Sequence, residues 1–207
     1  MTAIINYDVG NLFSLMSSLE YIGMDSKLTD DEKEIKNANA IILPGVGAFR
    51  DAILKLENKN DGILKHTIIE EAKKGKLILG ICLGMQMFFE KSYEYGEYNG
   101  LSLISGVICP IDNDLKNKNL KVPHMGWNNI NIKKDDKIFK YIKNMEYVYF
   151  VHSYYAKNCN DSIIAYSEYD INIPAVVKND NVYGIQFHPE KSSNVGLNIL
   201  RGFKDLI

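Results

Sequence analysis

Up to residue 81 the chain switches repeatedly between strand-like and helix-like hydrophobic spacing, and that alternation restricts the fold more than any other feature. Ala3 to Tyr7 is a short apolar-rich run of strand length. Asn11 to Ile22 then places Leu12, Leu15, Met16, Leu19 and Ile22 at helical spacing on one predicted buried face, with Gly23 in the position that closes a helix. Asn39 to Leu43 reads as a second buried strand, stopped by Pro44-Gly45. Ala48 to Leu56 and Ile63 to Lys74 read as helices, the second ended by Gly75, and Lys76 to Ile81 as a third strand. Strands that alternate with helices need crossover connections, so the expected class is α/β, with a mainly parallel central sheet flanked by helices.

The second half is built differently. Val107 to Ile111, Asn128 to Ile132, Tyr147 to Val151, Ile163 to Tyr166, Ala175 to Lys178 and Val182 to Phe187 are short strand-like runs separated by turn residues, which predicts additional antiparallel strands in the C-terminal half. Ser192 to Leu206 reads as a closing helix, and 112–121, rich in lysine and asparagine, as a solvated loop. Its Asp112-Asn113-Asp114 start lacks the glycine and distal glutamate of a calcium loop. No repeat or linker interrupts the 207 residues, so a single domain over 1–207 is expected.

Charge and cysteine usage narrow the function classes. With 24 basic and 26 acidic residues the net charge is −2, which gives no field for nucleic acid or an anionic membrane. No apolar run is long enough to span a bilayer, and the start has no basic n-region. Three widely spaced cysteines, Cys82, Cys109 and Cys159, argue against a disulfide framework and for a reducing, cytoplasmic setting. No cysteine or histidine pair has metal-ligand spacing, so neither metal nor cofactor is expected.

"GICLGMQ", residues 80–86, sets one of these cysteines between two glycines where a buried strand ends. Gly-x-nucleophile-x-Gly permits a sharp strand-to-helix turn that lifts the central side chain out of the sheet. A following helix would favour a thiolate through its dipole and offer free N–H groups to an oxyanion. A small buried cysteine in a core turn would look the same from this motif alone. Of the four histidines, His66 lies in a charge-rich helical segment, as a surface residue would, whereas His188 follows directly on the strand-like run 182–187. Pro189 extends the step after it, and Glu190 stands two residues on. Cys82, His188 and Glu190 are therefore candidates for nucleophile, base and orienting carboxylate, if the fold joins them.

Taken together, "GICLGMQ" and the downstream "GIQFHPEKS" resemble the class I (triad) glutamine amidotransferases. "ILPGVGAFRDA" (42–52), "VPHMGWNNI" (122–130), "YFVHSYY" (149–155) and "FHPEKSSNVGLNILRGF" (187–203) are similar to one group within that family, the glutaminase subunits of imidazole glycerol phosphate synthases in histidine biosynthesis. The resemblance runs from about residue 3 to residue 205. It implies hydrolysis of glutamine to glutamate and ammonia through Cys82, His188 and Glu190. It implies an oxyanion hole at the backbone of Leu83 and of Gly47 in the Pro44–Gly47 stretch. It implies glutamine contacts from Gln86, Glu94, Ser153 and Tyr154. Ammonia would pass to a cyclase subunit with a (β/α)8 barrel, in a heterodimer, across a face including Asn11, Met125, Trp127, Tyr149 and Lys191. Without that resemblance, Trp127 reads as a core aromatic and Glu94 as a solvated loop charge.

The family start, Asp-Tyr-Gly-x-Gly-Asn, is altered here to "NYDVGN": Asn6 replaces the aspartate and Asp8 the first glycine. Two alternatives therefore stay open. One is a paralogue that supplies ammonia to another synthase, such as one forming amidino groups on sugars. The other is a γ-glutamyl hydrolase-like cysteine hydrolase that needs no partner.

Overall fold

A computed structural model describes all 207 residues. The first half is built as its periodicities demand: β1 (Thr2–Ile5), α1 (Leu12–Tyr21), β2 (Ser26–Thr29), α2 (Glu32–Asn37), β3 (Ala40–Leu43), α3 (Phe49–Asn58), α4 (Ile63–Lys73) and β4 (Leu77–Ile81). The sequence reading did not resolve β2 and α2. The strand is short and only partly buried, and the helix spans six residues, so neither shows a sustained period. Asp31 caps that helix by accepting the Glu34 N–H. Gly23 and Gly75 follow α1 and α4 as expected, both with positive φ. Met16 departs from the predicted buried face of α1. It is 36% exposed, because only Leu15 and Leu19 of this helix reach the core.

The second half contributes α5 (Leu83–Gln86), β5 (Lys91–Ser92), β6 (Tyr98–Asn99), β7 (Val107–Pro110), β8 (His124–Asn129), β9 (Asn131–Ile132), β10 (Tyr147–His152), β11 (Tyr154–Lys157), β12 (Ile163–Tyr169), β13 (Ile171–Asn179), β14 (Val182–Ile185) and α6 (Ser193–Lys204). Segment 112–121 is less solvated than expected. Leu115 is buried, and Asp114 accepts from Tyr155 and Lys157.

One sheet of eight strands, in the order β2-β1-β3-β4-β14-β13-β12-β9, divides the molecule. Its β2-to-β14 half pairs in parallel and the remainder antiparallel. The parallel strands β1, β3 and β14 are buried along their whole length, because two large apolar clusters cover the sheet on either side. β8 and β10 form a separate antiparallel ribbon, and β11-β7-β5-β6 a small third sheet. Topology positions the site: β4 lies between β3 and β14, all three parallel, so the segments leaving their carboxyl ends meet at one edge.

Candidate active site

Register sets what meets there. Ile81 pairs with Ile185 and Gly80 with Leu43, so Cys82 leaves β4 beside Gln186 on one side and Gly45 on the other. The Cys82 N–H donates to the Ile185 carbonyl at 2.7 Å. Cys82 itself has φ 53° and ψ −108°, a conformation sparsely populated by residues with a Cβ. Gly84 makes the turn possible, since a Cβ there would stand 1.8 Å from the Leu43 carbonyl oxygen. The expected helix after the cysteine shrinks to the single turn α5, because Met87 to Phe89 fold back into the core. One turn does not sum a macrodipole, so the N-terminal contribution is local: the amide of Leu83, at the first position of that turn.

His188 reaches the sulfur from β14. Its extended backbone (φ −97°, ψ 102°) precedes Pro189, and the 3₁₀ turn Pro189–Lys191 swings Glu190 back over the ring. Glu190 Oε1 lies 2.8 Å from His188 Nδ1. The His188 N–H donates to the Tyr149 carbonyl at 3.0 Å, while Ser192 Oγ donates to the His188 carbonyl at 2.6 Å. Burial alone would lower the His188 pKa, but Cys82 and the Glu190 carboxylate together raise it to about 10. The charged form of the ring is thereby favoured, between sulfur and carboxylate.

Cys82 and His188 line a cavity of about 380 Å³ together with Val46, Gly47, Gln86, Glu94, Ser153, Tyr154 and Lys191, a volume suited to a small molecule. Gly47, at φ 93°, adopts a backbone that an L-residue with a Cβ rarely takes. The Pro44–Gly47 segment is held at both ends: the Tyr7 hydroxyl donates to the Pro44 carbonyl, and the Phe49 N–H donates to Glu94 Oε2 at 2.6 Å. Glu94 is thus not a solvated loop charge. It is buried, and burial raises its pKa against the Phe49 N–H, which lowers it. Gln86 lies one turn beyond Cys82, and its Nε2 donates to the Tyr154 carbonyl (3.1 Å) and to Gln186 Oε1 (2.9 Å).

Outside the cavity, Met125 (63% exposed) and Trp127 (54%) stand on the outer face of the β8–β10 ribbon, so Trp127 is not a core aromatic. Trp127 meets Tyr149 edge-on at 6.1 Å, and Lys191 Nζ lies 5.9 Å from the Tyr149 ring centre. Asn11 is exposed beside a crevice lined by Pro44, Val46 and Glu190. The altered start is locally compensated. Asp8 takes φ 62°, where aspartate substitutes for glycine at modest cost, and its carboxylate pairs with Lys59 at 3.0 Å. His66 is exposed and pairs with Glu70, as a surface residue should.

The sequence reading missed Gln186 and Tyr7. Gln186 is fully buried and its Nε2 lies 3.6 Å from the Cys82 sulfur. A lone amide closing the apolar run 182–187, two residues before His188, was the available signal. Tyr7 left no comparable trace, because a tyrosine ending an apolar strand is ordinary.

A family profile described as glutamine amidotransferase class-I matches residues 4–205. The chain belongs to the class I glutamine amidotransferases. Among curated members, the imidazole glycerol phosphate synthase subunit HisH of Caldanaerobacter subterraneus subsp. tengcongensis is 50% identical over 212 residues, covering 100% of this chain and 98% of the relative. The subunit of the same name from Carboxydothermus hydrogenoformans is 44% identical over 208 residues, covering 100% of both chains. Among solved structures, PurLQS from Thermotoga maritima superposes with a TM-score of 0.75 at 19% identity, covering 99% of this chain and 97% of that one, a likeness of fold. The α/β architecture is therefore that of the class I amidotransferases, and the chain is an enzyme of that family. No helix is long and apolar enough to cross a membrane.

Proposed function

We infer that this chain is the glutaminase subunit of an imidazole glycerol phosphate synthase, and that Cys82, His188 and Glu190 carry out the hydrolysis. The observation that carries the reading is the meeting of a strained cysteine with a carboxylate-held histidine in one cavity. The Cys82 thiolate attacks the side-chain amide carbon of glutamine, and the carbonyl oxygen takes up the negative charge against the Leu83 and Gly47 amides. His188 gives its proton to the departing nitrogen as the C–N bond breaks, which leaves a γ-glutamyl thioester and ammonia. A water then gives its proton to His188 and adds to the thioester. The C–S bond breaks, glutamate leaves, and Cys82 and His188 return to their starting state. Glu190 holds the ring by its Nδ1 throughout. The free oxygen of Glu94 receives the substrate ammonium, and the backbone at Ser153 and Tyr154 receives its carboxylate.

Ammonia is protonated in water, so it has to be delivered under cover to the acceptor. The exposed Met125, Trp127, Lys191 and Asn11, with the half-buried Tyr149, form the docking face for a (β/α)8 cyclase partner in a heterodimer. Identity of 44–50% to full-length HisH relatives favours the histidine pathway over amidino-sugar formation, and Asp8, tied to Lys59, gives no separate support to the latter. The test is reconstitution with the imidazole glycerol phosphate synthase cyclase. The Cys82→Ser complex should lose glutamine-dependent synthesis and keep ammonia-dependent synthesis. Retained glutamine hydrolysis in Cys82→Ser overturns the chemistry, and failure of the wild-type pair to use glutamine overturns the pathway.

A further inference from the structure

Two buried histidines that the hydrolysis does not use lie side by side next to the cavity. His124 Nδ1 is 3.1 Å from His152 Nε2, and His152 Nδ1 is 2.8 Å from the Tyr154 carbonyl oxygen. At the other end Asn128 Nδ2 lies 3.3 Å from His124 Nε2 and donates to the Glu168 carbonyl at 2.9 Å. Both ends of this chain have fixed polarity. A carbonyl only accepts, so His152 Nδ1 carries a hydrogen. The Asn128 atom facing the Glu168 carbonyl is the amide nitrogen, so it donates to His124 Nε2 as well. Each ring then holds one hydrogen, on Nδ1, and one lone pair, on Nε2. A further proton would set two donors against each other. Stacking of the His124 ring between Phe150 (4.7 Å) and Tyr169 (4.2 Å) fixes its plane.

The chain continues beyond Tyr154. The same carbonyl accepts from Gln86 Nε2, whose second hydrogen goes to Gln186 Oε1. That contact turns the Gln186 nitrogen toward the Cys82 sulfur, 3.6 Å away. The Tyr154 carbonyl is thus the joint between the histidine pair and the two amides behind the nucleophile. Met125 and Trp127 alternate with His124 and Asn128 along β8, so one strand carries both the exposed face and the start of this chain.

We propose that His124 and His152 are positioning residues for the Cys82 chemistry: a neutral pair that fixes the Tyr154 carbonyl and, through Gln86 and Gln186, the Cys82 sulfur. The proposal rests on the glutamine-hydrolysis reading above.

The test is the rate at which a chloroketone analogue of glutamine labels Cys82 in the full-length chain, followed by intact mass. His124→Leu fills the ring's volume but removes the donor, leaving His152 Nε2 buried and unpaired. Its maximal labelling rate should fall on the order of 10- to 100-fold, while the half-saturating reagent concentration moves by less than about threefold. His124→Asn places an amide nitrogen where Nδ1 stood and should recover most of the rate. A packing role predicts the opposite ranking, with Leu better than Asn. Should His124→Leu fail to fold, as read by its thermal midpoint, Asn128→Ala tests the same chain from its half-buried end and should slow labelling several-fold. Wild-type rates in His124→Leu or in folded Asn128→Ala, or Asn slower than Leu, overturn the proposal. A wild-type chain that is not labelled at Cys82 overturns the hydrolysis reading and this inference with it. A labelled wild type with unaffected variants overturns the inference alone.

Discussion

His188 with Glu190 and His124 with His152 are both buried pairs, and both border the same cavity. Burial pushes all three rings toward neutrality, yet the pKa of His188 is raised while those of His124 and His152 fall. The carboxylate and the sulfur at His188 raise its pKa to about 10. At the other pair, with a ring for each ring's partner and no carboxylate, His124 falls to about 4 and His152 to about 3. The partner, and not depth, decides whether a buried imidazole can shuttle a proton or can only hold a position.

The comparison breaks most visibly at Glu190. Glu190→Gln keeps the shape but removes the charge that holds His188 protonated and oriented. Glutamine hydrolysis should fall by roughly 10²- to 10⁴-fold in kcat, and a residual rate within tenfold of wild type would mean that the carboxylate is not needed.

A smaller effect appears in stability. His188 has a folded pKa above its unfolded value of 6.5, so its stabilising contribution is complete below pH 6.5 and is lost as pH rises through about 10. His124 and His152 have folded values below 6.5, so their contribution is complete above pH 6.5 and is lost as pH falls toward 4 and 3. Thermal midpoints of the wild type should therefore fall on both sides. Glu190→Gln should flatten the alkaline fall and His124→Leu the acid one. Unchanged slopes in both variants would remove the contrast between the pairs.

The smallest effect belongs to His66, the one histidine on the surface, paired with Glu70 at 3.1 Å across one helical turn. His66→Ala should change stability by less than about 0.5 kcal/mol and leave hydrolysis untouched. A larger shift would show that histidine loss as such, and not the buried partners, drives the other effects.

Much of this is legible in the amino-acid sequence. The alternation of periods up to Ile81 specified β1, β3 and β4, because buried parallel strands and amphipathic helices write different spacings, whereas β14 pairs in parallel with β4 although its run lies among those expected to be antiparallel. Cys82, His188 and Glu190 were legible because each lies in a local motif of glycines or proline that forces a special backbone. The length of the helix after Cys82 was not, since the apolar run Met85 to Phe89 suits a helix and a buried turn equally well. Nor was the pairing of His124 with His152. It depends on the register of β8 against β10, which sets those two residues opposite each other and has no local signature. Gln186 was hidden for a similar reason: its neighbours Cys82 and Gln86 lie about a hundred residues away.

The most direct test is nuclear magnetic resonance of the histidine ring nitrogens in the full-length chain, titrated from about pH 5 to about pH 10. His188 should carry hydrogens on both nitrogens up to the alkaline end of the range. His124 and His152 should stay neutral down to the acid end, each protonated on Nδ1. A His188 ring that loses its proton near 6.5, or a charged ring in the His124–His152 pair at the acid end, would contradict this contrast between the pairs.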